Sequence, residues 1–178
     1  MTGRVEVKPG TLLLVRHAQA TGQEPGAPLT PDGGAAAQAL ASSLAGLGVT
    51  RIVSSPWVRA AATARPLADR LGLPVTTDER LTERVLSGAS RADWRERLRE
   101  SFADDTLCLP GGKSGAEARA HIQAALADAR DPAGVVVVVT HGNLLALALG
   151  LGFGDWAALR NPDVWATRPD GPAVRVDA

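Results

Sequence analysis

Leu12-Leu13-Leu14-Val15-Arg16-His17 is an apolar run that ends in an arginine and a histidine. A second run ends in a similar way near the other end of the chain, at Val135-Val136-Val137-Val138-Val139-Thr140-His141-Gly142. Each is too short for a buried helix and rich in branched residues, so each reads as a strand covered on both faces. A parallel sheet flanked by helices places its ligands in the crevice beyond the carboxyl ends of its strands. Two of the three histidines thus leave the sheet where such folds carry their chemistry.

Outward from these runs, strand and helix signals alternate, which predicts a layered α/β fold. The first strand covers about 11–16, and a Gly/Pro-rich loop follows at 22–28. Thr30 reads as a helix cap with Pro31 at the first helical position. Leu40, Leu44 and Leu47 share one face of that helix, and Gly48 closes it. Arg51–Ser54 is a short strand, after which Ser55-Pro56 repeats the cap-plus-proline device for a helix reaching about Leu71. Val75–Thr77 is a third strand. The stretch 78–115 is patterned least, with a helix expected at 90–102 and a turn through Pro110-Gly111-Gly112. A longer helix at 114–130 turns Ile122, Ala125, Leu126 and Ala129 to the core. After the valine strand a helix runs from about Asn143 to Gly150, and 164–167 with 174–176 form a closing hairpin around Pro169-Asp170-Gly171.

The 178 residues are 45% apolar and 21% charged, and residues 1–178 read as a single domain. Nineteen basic residues balance nineteen acidic ones, so no overall field draws the chain to nucleic acid or a membrane. Any anion site must come from a few converging arginines. Four Trp, two Phe and no Tyr leave little for stacking bases. The lone Cys108 excludes an intramolecular disulfide and a cysteine-rich metal site, and reads as a buried or inert thiol. Met1 to Pro9 mixes charges without the apolar stretch of a signal peptide, and the apolar segments 135–139 and 144–151 fall short of a membrane span. A soluble, cytoplasmic protein is expected.

A phosphoryl group needs donors for oxygens that share its charge, and planar guanidinium groups supply them in pairs. Arg16 adjoins His17 at the end of the first strand. Arg59 lies in the first turn of the helix after Ser55, where side chains point back toward the N-terminus and the backbone N–H groups favour an anion. His17 is then the nucleophile and His141 a second donor across the site. His121 falls mid-helix and reads as structural. Gly111 and Gly112 read as turn punctuation, because no strand precedes them and no P-loop spacing is met. The tryptophans read as packing, with Trp57 and Trp94 placed to line a pocket mouth.

Leu-Val-Arg-His at 14–17, Leu29-Thr30 with Gly33, Ser54-Ser55-Pro56 with Arg59-Ala60 and Thr63-Ala64, and Thr140-His141-Gly142 stand in the order of a known family. From about residue 11 to 167 the chain resembles the histidine phosphatase superfamily, the phosphoglycerate-mutase-like group. The resemblance implies a three-layer α/β sandwich, a mostly parallel central sheet with helices on both faces. It makes His17 the acceptor of the phosphoryl group and Arg16, Arg59 and His141 the pocket for its oxygens. It places Glu83 of Leu81-Thr82-Glu83 as proton donor to the leaving oxygen and then as base for water. Neither metal nor organic cofactor is required.

The chain departs from the family pattern at several points. Ala18 stands where Gly is usual after the histidine, and Gln23 holds a position commonly Asn, still able to donate an amide N–H. Gly88 lies five residues after Glu83 instead of four, and no Trp-Glu-Gly follows. Lys113 replaces an acidic residue between Gly112 and Ser114. Substrate identity is expected to lie in 84–115, where the departures gather.

The resulting expectation is a cofactor-independent phosphatase that hydrolyses a phosphate monoester of a small metabolite through a phosphohistidine. A phosphatase is expected before a mutase because the chain lacks room for segments that shield the intermediate from water. Two alternatives stand beside it: a phosphohistidine phosphatase acting on a signalling protein, and a phosphate-binding module without useful turnover. A zinc hydrolase using two histidines and a carboxylate is more distant, since paired arginines repel a cation. The sequence does not set the oligomeric state.

Overall fold

The structure, a computed structural model, describes residues 6–177. Its strands are β1 (Leu12–Arg16), β2 (Val49–Ser54), β3 (Val75–Thr77), β4 (Val135–Thr140), β5 (Asp163–Thr167) and β6 (Val174–Val176). Its helices are α1 (Pro31–Leu44), α2 (Val58–Leu71), α3 (Trp94–Ala103), α4 (Gly115–Ala129), α5 (Gly142–Leu149) and α6 (Phe153–Ala157). The strands form one sheet in the order β3-β2-β4-β1-β5-β6. β3, β2, β4 and β1 run parallel, with Leu12 opposite Val136 and Arg16 opposite Thr140. β5 is antiparallel to β1 and β6 to β5, so the expected closing hairpin forms the sheet's far edge.

Successive strand residues point to opposite faces, and here both faces are covered. Leu13, Val15, Val137 and Val139 pack against Leu40 and Leu44 of α1 and Ala64 and Leu67 of α2. Leu12, Leu14, Val136 and Val138 pack against Ile122 and Ala125 of α4 and Leu144 and Leu145 of α5. All six residues of β4 are buried, which is why the valine run does not alternate with polar residues. The fold is the expected three-layer sandwich with a mostly parallel sheet.

Local signals explain where several elements begin. Thr30 caps α1, its Oγ1 accepting the Gly33 N–H at 3.0 Å. Gly33 itself is needed there, because a Cβ would stand 2.1 Å from the Gln19 carbonyl oxygen. Ser114 and Glu117 form a reciprocal capping box for α4. Elsewhere the boundaries differ from expectation. α1 stops at Leu44, Leu47 packs as a half-buried loop residue, and Gly48 turns the chain at φ +73° into a β2 that already starts at Val49. α3 starts at Trp94, not at 90. A 3-10 turn at Glu79–Leu81 and α6 were not anticipated, being too short to show a period.

The least patterned stretch is held by backbone contacts. The Gly88 N–H donates to the Pro110 carbonyl at 2.9 Å and the Lys113 N–H to the Val85 carbonyl at 2.8 Å. A Cβ on Gly111 would lie 2.7 Å from Gly88 Cα, and one on Gly112 2.1 Å from the Leu86 carbonyl oxygen. The two glycines thus do more than turn the chain; they let two strap-like segments touch. Buried Arg84 ties them down, its Nε donating to the Lys113 carbonyl and its Nη1 to Ser101 Oγ, both at 3.0 Å. Cys108, expected to be buried or inert, is exposed on this loop, its thiol 3.4 Å from the Gly112 carbonyl. His121 is exposed midway along α4. Among the described residues, no helix is long and apolar enough to cross a membrane.

Candidate active site

β1 and β4 end side by side, so Arg16-His17 and His141-Gly142 meet at the carboxyl end of the sheet's central strands. The His17 N–H continues the ladder to the Thr140 carbonyl at 3.0 Å. The two imidazoles stand 5.1 Å apart between centroids at an interplanar angle of 63°. Two contacts hold the backbone at His17-Ala18, and another fixes the hydroxyl that makes one of them. The Ala18 N–H donates to Thr63 Oγ1 (3.0 Å), that hydroxyl donates to the Arg59 carbonyl (2.7 Å), and Asn161 Nδ2 donates to the His17 carbonyl (3.0 Å). Ala18 is fully buried, so only a small residue fits beside the histidine.

The ring of His17 is set between two partners. Nδ1 faces the Ala18 carbonyl at 2.7 Å, and Nε2 accepts from Arg59 Nε at 3.1 Å. Burial lowers the His17 pKa to about 4, aided by the charges of Arg59 and Arg16 and opposed by the bond to Ala18. The ring is neutral at pH 7.

His141 is completely buried, with Nε2 2.8 Å from Ser55 Oγ and Nδ1 without a partner. Trp57 packs edge-on against it at 4.9 Å. Burial lowers its pKa to about 2, with repulsion from His17 when that ring is protonated, then from Arg59 and Arg16, adding to it. Ser55, expected as a helix cap, does something else. Helix α2 begins at Val58 with no side-chain cap, while Ser55 Oγ accepts the Trp57 N–H at 3.2 Å and meets His141. The pattern Ser-x-Trp can be read two ways in sequence, and the imidazole partner lies 86 residues away.

Arg59 is buried, its guanidinium 4.8 Å from the Trp57 ring and its Nη1 donating to the Glu24 carbonyl at 2.9 Å. Arg16 donates from Nη1 to the Leu159 carbonyl at 2.8 Å, leaving a buried Nε unpaired. It lies against Gly142, where a Cβ would come within 3.0 Å of Cζ and Nε. Glu83 is half-buried at the start of α5. Its carboxylate accepts the N–H groups of Arg84 (2.9 Å), Asn143 (3.2 Å) and Leu144 (3.2 Å). Burial pushes its carboxyl up, against the pull of those N–H groups and of Arg16.

The structure therefore brings His17, Arg16, Arg59, His141 and Glu83 to one place. Gln23 is exposed at the rim of a cleft that opens beside Glu83, together with Trp57 and Trp94. Ser55, Thr63 and Asn161 support the histidines without having been singled out for it. Asn161 carries no local signal, reaching His17 across 144 residues. Two guanidinium groups, two neutral imidazoles and one carboxyl suit a dianion better than a cation. Among the described residues, no three of His, Cys, Asp and Glu gather as a metal site.

Comparison with known proteins places the chain in a family. The family model of the histidine phosphatase superfamily (branch 1) matches residues 12–168. The probable phosphoglycerate mutase GpmB of Shigella boydii is 31% identical over 75% of this chain and 67% of its own. A mycobacterial glucosyl-3-phosphoglycerate phosphatase superposes with a TM-score of 0.72 at 29% identity, covering 89% of this chain and 90% of that one. Its complex with inorganic phosphate gives 0.72 at 28%, over 94% and 95%. With its sheet order, its paired Arg-His and His-Gly strand ends and these likenesses, the chain belongs to the histidine phosphatase superfamily and has the structure of its phosphomonoester hydrolases.

Proposed function

We propose that the protein hydrolyses phosphate monoesters of small metabolites through a phosphohistidine on His17. The observation that carries the reading is the pair of contacts on the His17 ring. A guanidinium only donates, so a ring that accepts at Nε2 holds its proton on Nδ1, against the Ala18 carbonyl. Nε2 then offers a lone pair in a site lined by Arg16 and Arg59.

In the first step Nε2 bonds to phosphorus as the ester P–O bond breaks. Arg16 and Arg59 receive the phosphoryl oxygens, and the Arg59 N–H turns from the ring nitrogen to an oxygen. With the Ser55 hydroxyl donating to Nε2 of His141, the unpaired Nδ1–H of His141 is a further donor. Glu83 gives its proton to the departing alkoxide; burial keeps that proton on the carboxyl above the ordinary carboxylate range. Water then attacks phosphorus, Glu83 takes its proton, and the His17 nitrogen leaves. A leaving alkoxide needs such an acid, whereas a phosphoramidate is easier to expel. The seat of Glu83 beside the site thus favours esters over phosphohistidine proteins.

The test is p-nitrophenyl phosphate hydrolysis in excess chelator by wild type, His17→Ala and Glu83→Gln, alongside a panel of natural esters. The expected result is turnover that is lost with His17, persists in chelator, and falls with Glu83→Gln more on alkyl than on aryl esters. Equal turnover in wild type and His17→Ala removes the reading. Retention of phosphohistidine hydrolysis with loss of ester hydrolysis in Glu83→Gln moves it to a phosphoprotein substrate.

A further inference from the structure

The cleft beside Glu83 has a volume of about 390 Å³, which lies in the range of small-molecule sites. Trp57, Val85, Leu86 and Trp94 supply its apolar walls. Val85 and Trp94 are 43% and 48% exposed, two of the four large hydrophobic side chains left open to solvent among the described residues. The Val85 wall is fixed in place, because the Val85–Gly88 segment is stitched to Pro110–Lys113 by backbone bonds and glycine contacts. A concave apolar surface held open beside the candidate proton donor is built to receive part of a ligand.

The charges of the cleft say what that part is not. Arg91 places Nε and Nη2 on the two oxygens of Asp93, at 2.9 and 3.0 Å. Arg84 is buried, engaged with the Lys113 carbonyl and Ser101 Oγ, and its remaining Nη2 is closed off from solvent. Lys113, the charge-reversed position of the sequence, does not line the cleft. Arg16 and Arg59 belong to the phosphoryl pocket. Each cation lining the cleft thus already has a protein partner, and Glu83 would repel a second anionic group whenever it is ionised. An anion brought against Trp57 and Trp94 loses its water without a counter-charge.

We propose that this cleft holds the leaving alcohol and selects an uncharged, apolar or aromatic alcohol over one carrying its own carboxylate or second phosphate. The proposal rests on the phosphatase reading above. Trp94 and Val85 are then specificity residues, and the site prefers hydrophobic monoesters to acidic sugar or glycerate esters.

Three esters of primary alcohols separate recognition from leaving-group reactivity: 2-phenylethyl phosphate, glycerol 3-phosphate and 3-phosphoglycerate. The expected kcat/KM falls in that order, by at least about tenfold between the first and last. Trp94→Ala and Val85→Ser should narrow the ratio of 2-phenylethyl phosphate to glycerol 3-phosphate about tenfold, through KM. Equal or better use of 3-phosphoglycerate, or a Trp94→Ala effect equal on all three, overturns the proposal. If no ester, p-nitrophenyl phosphate included, is hydrolysed, the phosphatase reading fails while the cleft is still open to test. Titration calorimetry of wild type with 2-phenylethylphosphonate and methylphosphonate then decides it: tighter binding of the former upholds the apolar cleft, and equal binding overturns it.

Discussion

The Nε–H of Arg59 points at Nε2 of His17 across 3.1 Å, while the other nitrogen of that ring faces the Ala18 carbonyl at 2.7 Å. Together they select one tautomer of a neutral imidazole, and they place the lone pair next to the Arg59 guanidinium. Replacing Arg59 by Gln removes both the cation and its donors. We expect kcat on a phosphate ester to fall by about 10²–10³-fold, the cost of losing one charge-stabilising donor. The His17 pKa, followed by NMR, should rise from about 4 but stay below its ordinary value, because burial is the larger cause of its depression. A variant with wild-type turnover, or with an unmoved His17 titration, contradicts this account.

Ser55 acts through His141. Its hydroxyl lies 2.8 Å from Nε2 and also accepts the Trp57 N–H at 3.2 Å. Ser55→Ala should lower kcat/KM by about 2–10-fold, the worth of one net hydrogen bond. Ser55→Thr, which keeps the hydroxyl, should recover most of it. Were the residue a helix cap only, both variants would shift Tm and leave the kinetics alone.

Two glycines carry contrasting expectations. In Gly142→Ala the new Cβ meets Cζ and Nε of Arg16 at 3.0 Å, the far end of a side chain that can shift. The guanidinium need give only a few tenths of an ångström, so activity should drop by less than the about 10²-fold that a roughly 1 Å misplacement costs, with Tm nearly kept. In Gly112→Ala the Cβ meets the Leu86 carbonyl oxygen at 2.1 Å, where backbone must move. There we expect a stability loss of about 1–3 kcal/mol by chemical denaturation. The reverse pattern would place neither glycine as described.

Acid should unfold the protein through its own site. His17 and His141 are buried neutral, with pKa values of about 4 and about 2, whereas the unfolded chain titrates them near 6.5. Their neutral burial costs no stability above the unfolded value, and stability is lost as pH falls below it, because the unfolded state binds protons first. Glu83, whose carboxyl burial pushes up, works in the opposite sense. The net expectation is a loss of about 1–3 kcal/mol between pH 6.5 and 5.0, roughly halved in His17→Asn. A flat profile in urea denaturation over this window would show that the imidazoles are not held neutral.

How much of this was legible in the chain depends on the distance over which each feature is decided. The Leu12–Arg16 and Val135–Thr140 runs are strands on branched composition alone. Thr30-Pro31 and Ser114 with Glu117 start helices through contacts within one turn. Ser55-Pro56 obeys the same local grammar and misleads, since its hydroxyl is claimed by an imidazole from another strand. Cys108, expected as a buried or inert thiol, is exposed, because burial is not a property of a residue type but of what packs over it.

The sequence by itself determined the alternation of strands and helices and the two histidine-bearing strand ends, because periodicity and capping are settled among residues a few positions apart. The tertiary structure decided what surrounds those histidines. Glu83 reaches the start of α5 across 60 residues, Ser55 reaches His141 across 86, and Asn161 reaches His17 across 144. The sheet order β2-β4-β1 brings these segments together, and no local spacing encodes them. The apolar cleft is decided the same way, its Val85 wall fixed by backbone and glycine contacts between Val85–Gly88 and Pro110–Lys113.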